Sequence, residues 1–174
     1  TRSVDDMADD IIFDTKLDGS GYGQTTAETC WYACYEMLFA FKQRPITEIR
    51  DTIVKAGFDY DDYYKNGLPV EDFRKVGRAL RLTGFRGGFI STLADDFQGF
   101  AQLLQNYGPV WCAFSRPSAH IVVVCGVNSK QNQIHIMNPW NRLGGFDADG
   151  QYIDPGTFKN RLNGVNDWVG QCPS

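Results

Sequence analysis

A chain of 174 residues, 43% hydrophobic and 22% charged, has the size and balance of one compact domain with a real core. A formal charge of -4 argues against general nucleic-acid binding, which calls for a basic stripe. No apolar run approaches the roughly 18 residues of a membrane-spanning helix.

Five cysteines stand at 30, 34, 112, 125 and 172. Their odd number and uneven spacing do not read as a secreted disulfide framework, and no CxxC pair suggests zinc. A reducing compartment is the expectation. The chain starts at Thr1, which reads as a processed form or as a piece of something longer.

Residues 1–19 form an acidic arm (Asp5, Asp6, Asp9, Asp10, Asp14, Asp18) with one strand-like anchor at Ile11-Ile12-Phe13. After a glycine loop through Gly23, Thr25 to Glu28 fits a capping box, with Thr29 as a competing cap. Trp31, Cys34, Tyr35, Leu38 and Phe41 then repeat at helical spacing, and the apolar arc is wide enough to predict a buried helix ending before Pro45. A second helix is expected over 47–56, closed by Gly57. Phe58 to Gly67, rich in Tyr and Asp, reads as a loop, either a solvated face or a recognition surface. Pro69 opens a third helix to about Leu82, and a strand follows over 84–91. A fourth helix runs from Thr92, its cap, to Tyr107, where Gly108 stops it.

Beyond Gly108 the pattern changes to strands, over 109–114, 120–127 and 133–137, the middle one apolar on both faces. After Trp140 the glycines at 144, 145, 150 and 156 predict loops and short strands to about Trp168. Asp147-Ala-Asp-Gly150 lacks the remaining ligands of a calcium loop and reads as a turn. Helices first and an antiparallel sheet second give an α+β fold of two packed lobes.

Within this frame Cys30 stands out. A thiol at a helix N-terminus lies near the positive end of the macrodipole, which favours the thiolate. The side-chain amide of Gln24 and the backbone N–H of Cys30 could together hold an oxyanion. The base must be one of two histidines. His120 opens a buried strand. His135 lies in the next strand, and alternation sends it to the face opposite Asn138. His120 and Asn138 are therefore the better pair, and His135 reads as a surface or hydrogen-bonded strand residue. Cys34, one turn after Cys30, reads as core.

The ordered set Gln24, Cys30-Trp31 with Ala33, Gly108-Pro-Val110, His120-Ile-Val-Val with Gly126-Val, and Asn138-Pro-Trp140 resembles the papain-like cysteine peptidases. It is most similar to small bacterial forms, the secreted-effector peptidases and the double-glycine leader peptidases, over roughly residues 20–140. Two features depart from the wider family. Ala27 and Glu28 replace the first two positions of the Cys-Gly-x-Cys-Trp signature, and the histidine follows the cysteine by ninety positions.

The resemblance implies a helical lobe over about 20–107 carrying Cys30 and a β lobe over about 108–174 carrying His120 and Asn138. It implies a catalytic set of Cys30, His120, Asn138 and Gln24, an ion pair between Cys30 and His120, and Trp31 and Trp140 beside the substrate. No metal or other cofactor is called for. The expected partners are a protein or peptide substrate and a cognate inhibitor or immunity protein, with no nucleic acid or membrane, and the expected state is a monomer. A bacterial effector or toxin exported by a dedicated secretion system into a target cell, cutting after small residues such as Gly-Gly, is the implied role. Two alternatives stay open. The same residues could perform deamidation or acyl transfer of a transglutaminase-like kind, or the scaffold could be a catalytically silent binding module.

Overall fold

The computed structural model describes residues 10–19, 21–140, 149–162 and, for the backbone alone, 168–171. Its centre is the apolar run that forms strand β4 (His120–Asn128), every residue of which from Ile121 to Val127 is buried. Such a strand needs cover on both faces, and the chain supplies it. The sheet order is β2 (Thr83–Arg86), β7 (Trp168–Gln171), β3 (Val110–Phe114), β4, β5 (Gln133–Met137) and β6 (Gln151–Ile153). All of these pairings are antiparallel. β3 pairs with the first half of β4, from Phe114 opposite His120 to Val110 opposite Val124. β1 (Ile12–Asp14) takes over at Gly126 to Asn128, so the acidic arm does supply an anchoring strand.

Alternation along the strands sorts their side chains into two cores. Trp111, Ala113, Ile121, Val123 and Cys125 pack with α1 (Cys30–Phe41), α2 (Thr47–Lys55), α3 (Tyr60–Asn66) and α4 (Phe73–Ala79). Val110, Cys112, Phe114, Val122 and Val124 pack with α5 (Gly87–Leu93), α6 (Phe97–Tyr107) and α7 (Pro155–Leu162). Helices and an antiparallel sheet are present as expected, with the helices divided between the sheet's two faces.

Several boundaries differ from the sequence reading, each for a local reason. The Tyr- and Asp-rich stretch is helical: the Asp59 side chain caps it by accepting from the Asp62 N–H at 3.1 Å, and Tyr60 and Tyr63 turn edge-on to Trp31. The third helix begins as a 3-10 turn (Val70–Asp72) and stops at Ala79, before Arg81 takes a φ of 60°. The strand after it is short, because Ile90 and Leu93, three apart and both buried, fold 87–93 into a helix. The next helix starts at Phe97, where Asp96 and not Thr92 is the cap, accepting from the Gly99 N–H at 2.9 Å. Phe158 and Leu162, four apart and buried, make α7 where loops were expected.

Candidate active site

Cys30 is the first residue of α1, and seven of the helix's residues are buried, among them Trp31, Met37, Leu38 and Phe39. At about 1.5–3 kcal/mol for each large apolar side chain removed from water, packing fixes this helix. Capping does not. The predicted capping box is absent: Thr29 occupies the N-cap without a side-chain bond into the helix. Its hydroxyl instead accepts from the Thr25 and Thr26 N–H groups at 3.1 and 3.0 Å, tying down the loop before the helix. The first intrahelical bond, from the Ala33 N–H to the Thr29 carbonyl, leaves the amides of Cys30 and Trp31 facing the thiol end.

The tryptophan after the cysteine is an anchor. Trp31 is 1% exposed, and its carbonyl accepts from Trp111 Nε1 at 3.1 Å. The expectation that Trp31 contacts substrate is therefore corrected. It is walled in by Tyr32, Tyr35, Tyr60 and Tyr63, and it acts by holding the start of α1 against the sheet. One turn later Cys34 is fully buried, as expected of a core residue, with its sulfur 3.5 Å from the Ile121 carbonyl.

On the sheet side, His120 is half-buried at the start of β4, and its Nε2 lies 2.7 Å from Asn138 Oδ1. The same oxygen accepts the Trp140 backbone N–H at 3.1 Å. An oxygen that accepts one N–H is oriented to accept another, so the ring proton sits on Nε2 and the Nδ1 lone pair is left to act as a base. The Trp140 ring stands edge-on to the imidazole, 6.3 Å between centroids, and is 36% exposed. An open cleft of about 430 Å³ runs along His120, Asn138 and Trp140, with Ala27, Arg116 and Arg161 among its other walls. Gln24 is 5% exposed and fastens the two sides together: its N–H donates to the Pro139 carbonyl at 2.7 Å. Its side-chain Nε2 donates to the Thr26 carbonyl at 2.8 Å, leaving one of its two N–H groups for another acceptor.

The family model of the papain-like cysteine protease AvrRpt2 matches residues 14–147, most of the chain, and that span includes Gln24, Cys30, His120, Asn138 and Trp140. The chain belongs to this family. It is a papain-like cysteine protease, an enzyme that acts on peptide bonds. No individual curated protein matches it.

In this AvrRpt2-family protease, burial shifts the proton affinity of both candidate groups. Desolvation pushes the Cys30 thiol above its ordinary 9.0, against the opposing pull of the Ile121, Trp31 and Cys30 amides, and the Glu28 carboxylate adds to the rise. Desolvation likewise holds the His120 imidazole below 6.5, against the Asn138 hydrogen bond that raises it, and Arg161 pushes it lower. Both shifts favour neutral partners. Burial at each group works against the ion pair expected from sequence, since desolvation penalises the charged form of both.

A second cysteine–histidine–carboxylate set lies farther along β4. Cys125 Sγ is 3.2 Å from His135 Nδ1, and the same Nδ1 is 2.5 Å from Asp14 Oδ2. His135 Nε2 is 2.6 Å from the Asp149 carbonyl oxygen. These three residues have the composition of a catalytic triad. Cys125, however, is wholly buried, and its sulfur shares one ring nitrogen with the carboxylate where a relay uses both. His135 itself is 8% exposed, a hydrogen-bonded strand residue and not a surface one.

Sequence reading missed Arg161, which reaches the cleft from α7, and Asp14, which reaches His135 from β1. Neither stands near its partner in the chain, and no motif marks either. Of the stretch Asp147-Ala-Asp-Gly150, expected as a turn, residues 147 and 148 lie outside the described residues. Among the described residues, no helix is long and apolar enough to cross a membrane.

Proposed function

We propose that Cys30, His120 and Asn138 are the catalytic residues of this protease and that it is an endopeptidase acting on protein substrates. The observation that carries the reading is the shared Asn138 oxygen, which fixes the His120 tautomer with its basic nitrogen free. Cys30 is only partly buried, at a helix N-terminus whose neighbouring amides include that of Ile121, the residue after His120.

From a neutral pair, the steps follow. His120 Nδ1 takes the Cys30 proton as the sulfur attacks the scissile carbonyl carbon. The Cys30 N–H and the remaining Gln24 Nε2–H hold the oxyanion, each such donor being worth about 3 kcal/mol of barrier. The imidazolium, its Nε2–H held by Asn138, returns the proton to the departing amine, which leaves the acyl group on sulfur as a thioester. His120 then deprotonates water, which attacks the thioester and frees Cys30.

The same reading takes the chain to be the catalytic part of a bacterial effector or toxin, delivered by a secretion system into a target cell and preferring a small residue such as glycine before the cut. Its support is the family match together with the resemblance carried by Gln24, Cys30-Trp31, His120 and Asn138-Pro-Trp140. A monomer, with an inhibitor or immunity protein as cognate partner, belongs to this proposal.

The test is a peptide library read by mass spectrometry. New termini should appear with the unmodified protein and vanish with Cys30→Ala, and an electrophilic peptide probe should label Cys30 ahead of the other thiols. Persistent cutting by Cys30→Ala would overturn the assignment. A gain of about one dalton without chain scission would establish deamidation by the same thiol chemistry. Even cutting after bulky residues would remove the small-residue preference.

A further inference from the structure

The buried set on β4 has a geometry that peptide cleavage does not use. A register shift between Val124 and Gly126 makes Cys125 the extra residue of a β-bulge in the pairing with β5. Bulges re-aim side chains, and this one brings the sulfur to His135, whose own backbone partner is Gly126. Gly126 also admits β1: a Cβ there would meet the Phe13 carbonyl at 2.8 Å and Asp14 Oδ2 at 2.9 Å. Three separate segments, β1, β4 and β5, thus each contribute one donor atom, and all three atoms lie within 4.8 Å of one another. The imidazole between them is fixed from the other side. Its Nε2 faces the Asp149 carbonyl, Tyr152 stacks on its face at 4.5 Å and 10°, and Gly150, at φ 88°, lets the backbone lie against the ring.

We propose that Asp14, Cys125 and His135 form a binding site for a divalent transition-metal ion of the zinc class, separate from the proposed catalytic residues. It lies five residues along β4 from His120, about 15 Å at the rise of a strand. Oxygen, nitrogen and sulfur donors on one centre suit zinc, whereas magnesium and calcium favour oxygen alone. Sulfur and carboxylate converge on the same nitrogen, Nδ1, as co-ligands of one ion would. The outer nitrogen meets a backbone carbonyl, the usual second partner of a metal-bound histidine.

The fit requires a small opening. Bonds of about 2.0–2.3 Å in a tetrahedral array separate ligand atoms by about 3.3–3.6 Å, and the present 3.2 and 2.5 Å spacings reach that by less than about 1 Å of side-chain movement. Asp14, 24% exposed at its side chain, is the group with room to move, and its side is the entry path. Binding releases the Cys125 thiol proton and the Nδ1 proton to solvent, and leaves the fourth position to water.

The full metal-free chain should be titrated with Co(II), and the thiolate-to-metal charge-transfer band and the visible bands of tetrahedral Co(II) followed, before displacement with Zn(II). One equivalent should bind in the unmodified chain and in Cys30→Ser. The charge-transfer band should be absent in Cys125→Ser, and affinity should fall at least about tenfold in Asp14→Asn. Should Cys125→Ser fail to fold, Asp14→Asn carries the test alone, through its affinity and through a smaller zinc-induced rise in thermal midpoint. No charge-transfer band at saturating Co(II), unchanged affinity in Asp14→Asn, a band surviving in a folded Cys125→Ser, or a band lost in Cys30→Ser would each overturn the site. None of these outcomes bears on whether Cys30 cleaves peptides.

Discussion

Replacing Asn138 with alanine tests the proposed active site most directly, because two measurable effects are expected and they run in different directions. The side chain makes a 2.7 Å bond to His120 Nε2 and also receives the Trp140 N–H. Alanine leaves a half-buried ring N–H without its acceptor, which costs about 1–3 kcal/mol. If that cost falls wholly on the transition state, where the imidazolium needs the bond most, kcat/KM drops roughly 5- to 150-fold, at about 1.4 kcal/mol per tenfold. The second effect concerns pH. The Asn138 bond raises the affinity of His120 for its proton, so its loss lowers a value that burial has already depressed. A general base must be unprotonated to work, so the acid limb of kcat/KM should move to lower pH even as the plateau falls. Initial rates with a fluorogenic peptide from pH 4 to 9 measure both. An unchanged plateau, or an acid limb displaced to higher pH, would show that Asn138 does not hold the catalytic base.

Removing Arg161 should do the reverse to the same limb, since its charge depresses His120: Arg161→Gln should shift the acid limb toward higher pH, and an unmoved limb would refute the contact. Gln24→Ala should lower kcat about 100-fold with little change in KM if its amide serves the oxyanion; a change confined to KM or to thermal stability would leave the side chain only its bond to the Thr26 carbonyl. Glu36 offers a stability test away from the site. Burial raises its carboxyl from 4.5 to about 7 in the folded chain, so the folded state binds the proton more tightly than the unfolded one. Stability present below pH 4.5 is then lost as pH rises through 7, at most about 3 kcal/mol and less for a partly exposed group. Glu36→Gln should therefore stabilise by about 1–3 kcal/mol at pH 8 and by nearly nothing at pH 4, as read from urea midpoints; equal midpoint shifts at both pH values would contradict the burial argument.

Much of the candidate site was legible because its chemistry is local. Cys30 at the start of an apolar helix, His120 at the start of a doubly apolar strand, and Asn138 just past the next strand all follow from periodicity and order along the chain, and the His120–Asn138 pair follows from strand alternation. The role of Trp31 was misread for the opposite reason. Whether an aromatic beside a cysteine faces substrate or core depends on what covers it, and the cover is a helix, Tyr60–Asn66, whose polar composition masks its packing face.

By itself, then, the sequence determined the fold class, the ordered catalytic candidates and the alternation that selects His120 over His135, since each rests on spacings of a few residues. Only the tertiary structure decided the rest. It set Arg161 beside the cleft and Asp14 beside Cys125 and His135, contacts that join residues 41 to 121 positions apart. It also decided the direction in which burial shifts Cys30 and His120, because desolvation depends on how completely neighbours from distant segments exclude water, and no single stretch of chain encodes that.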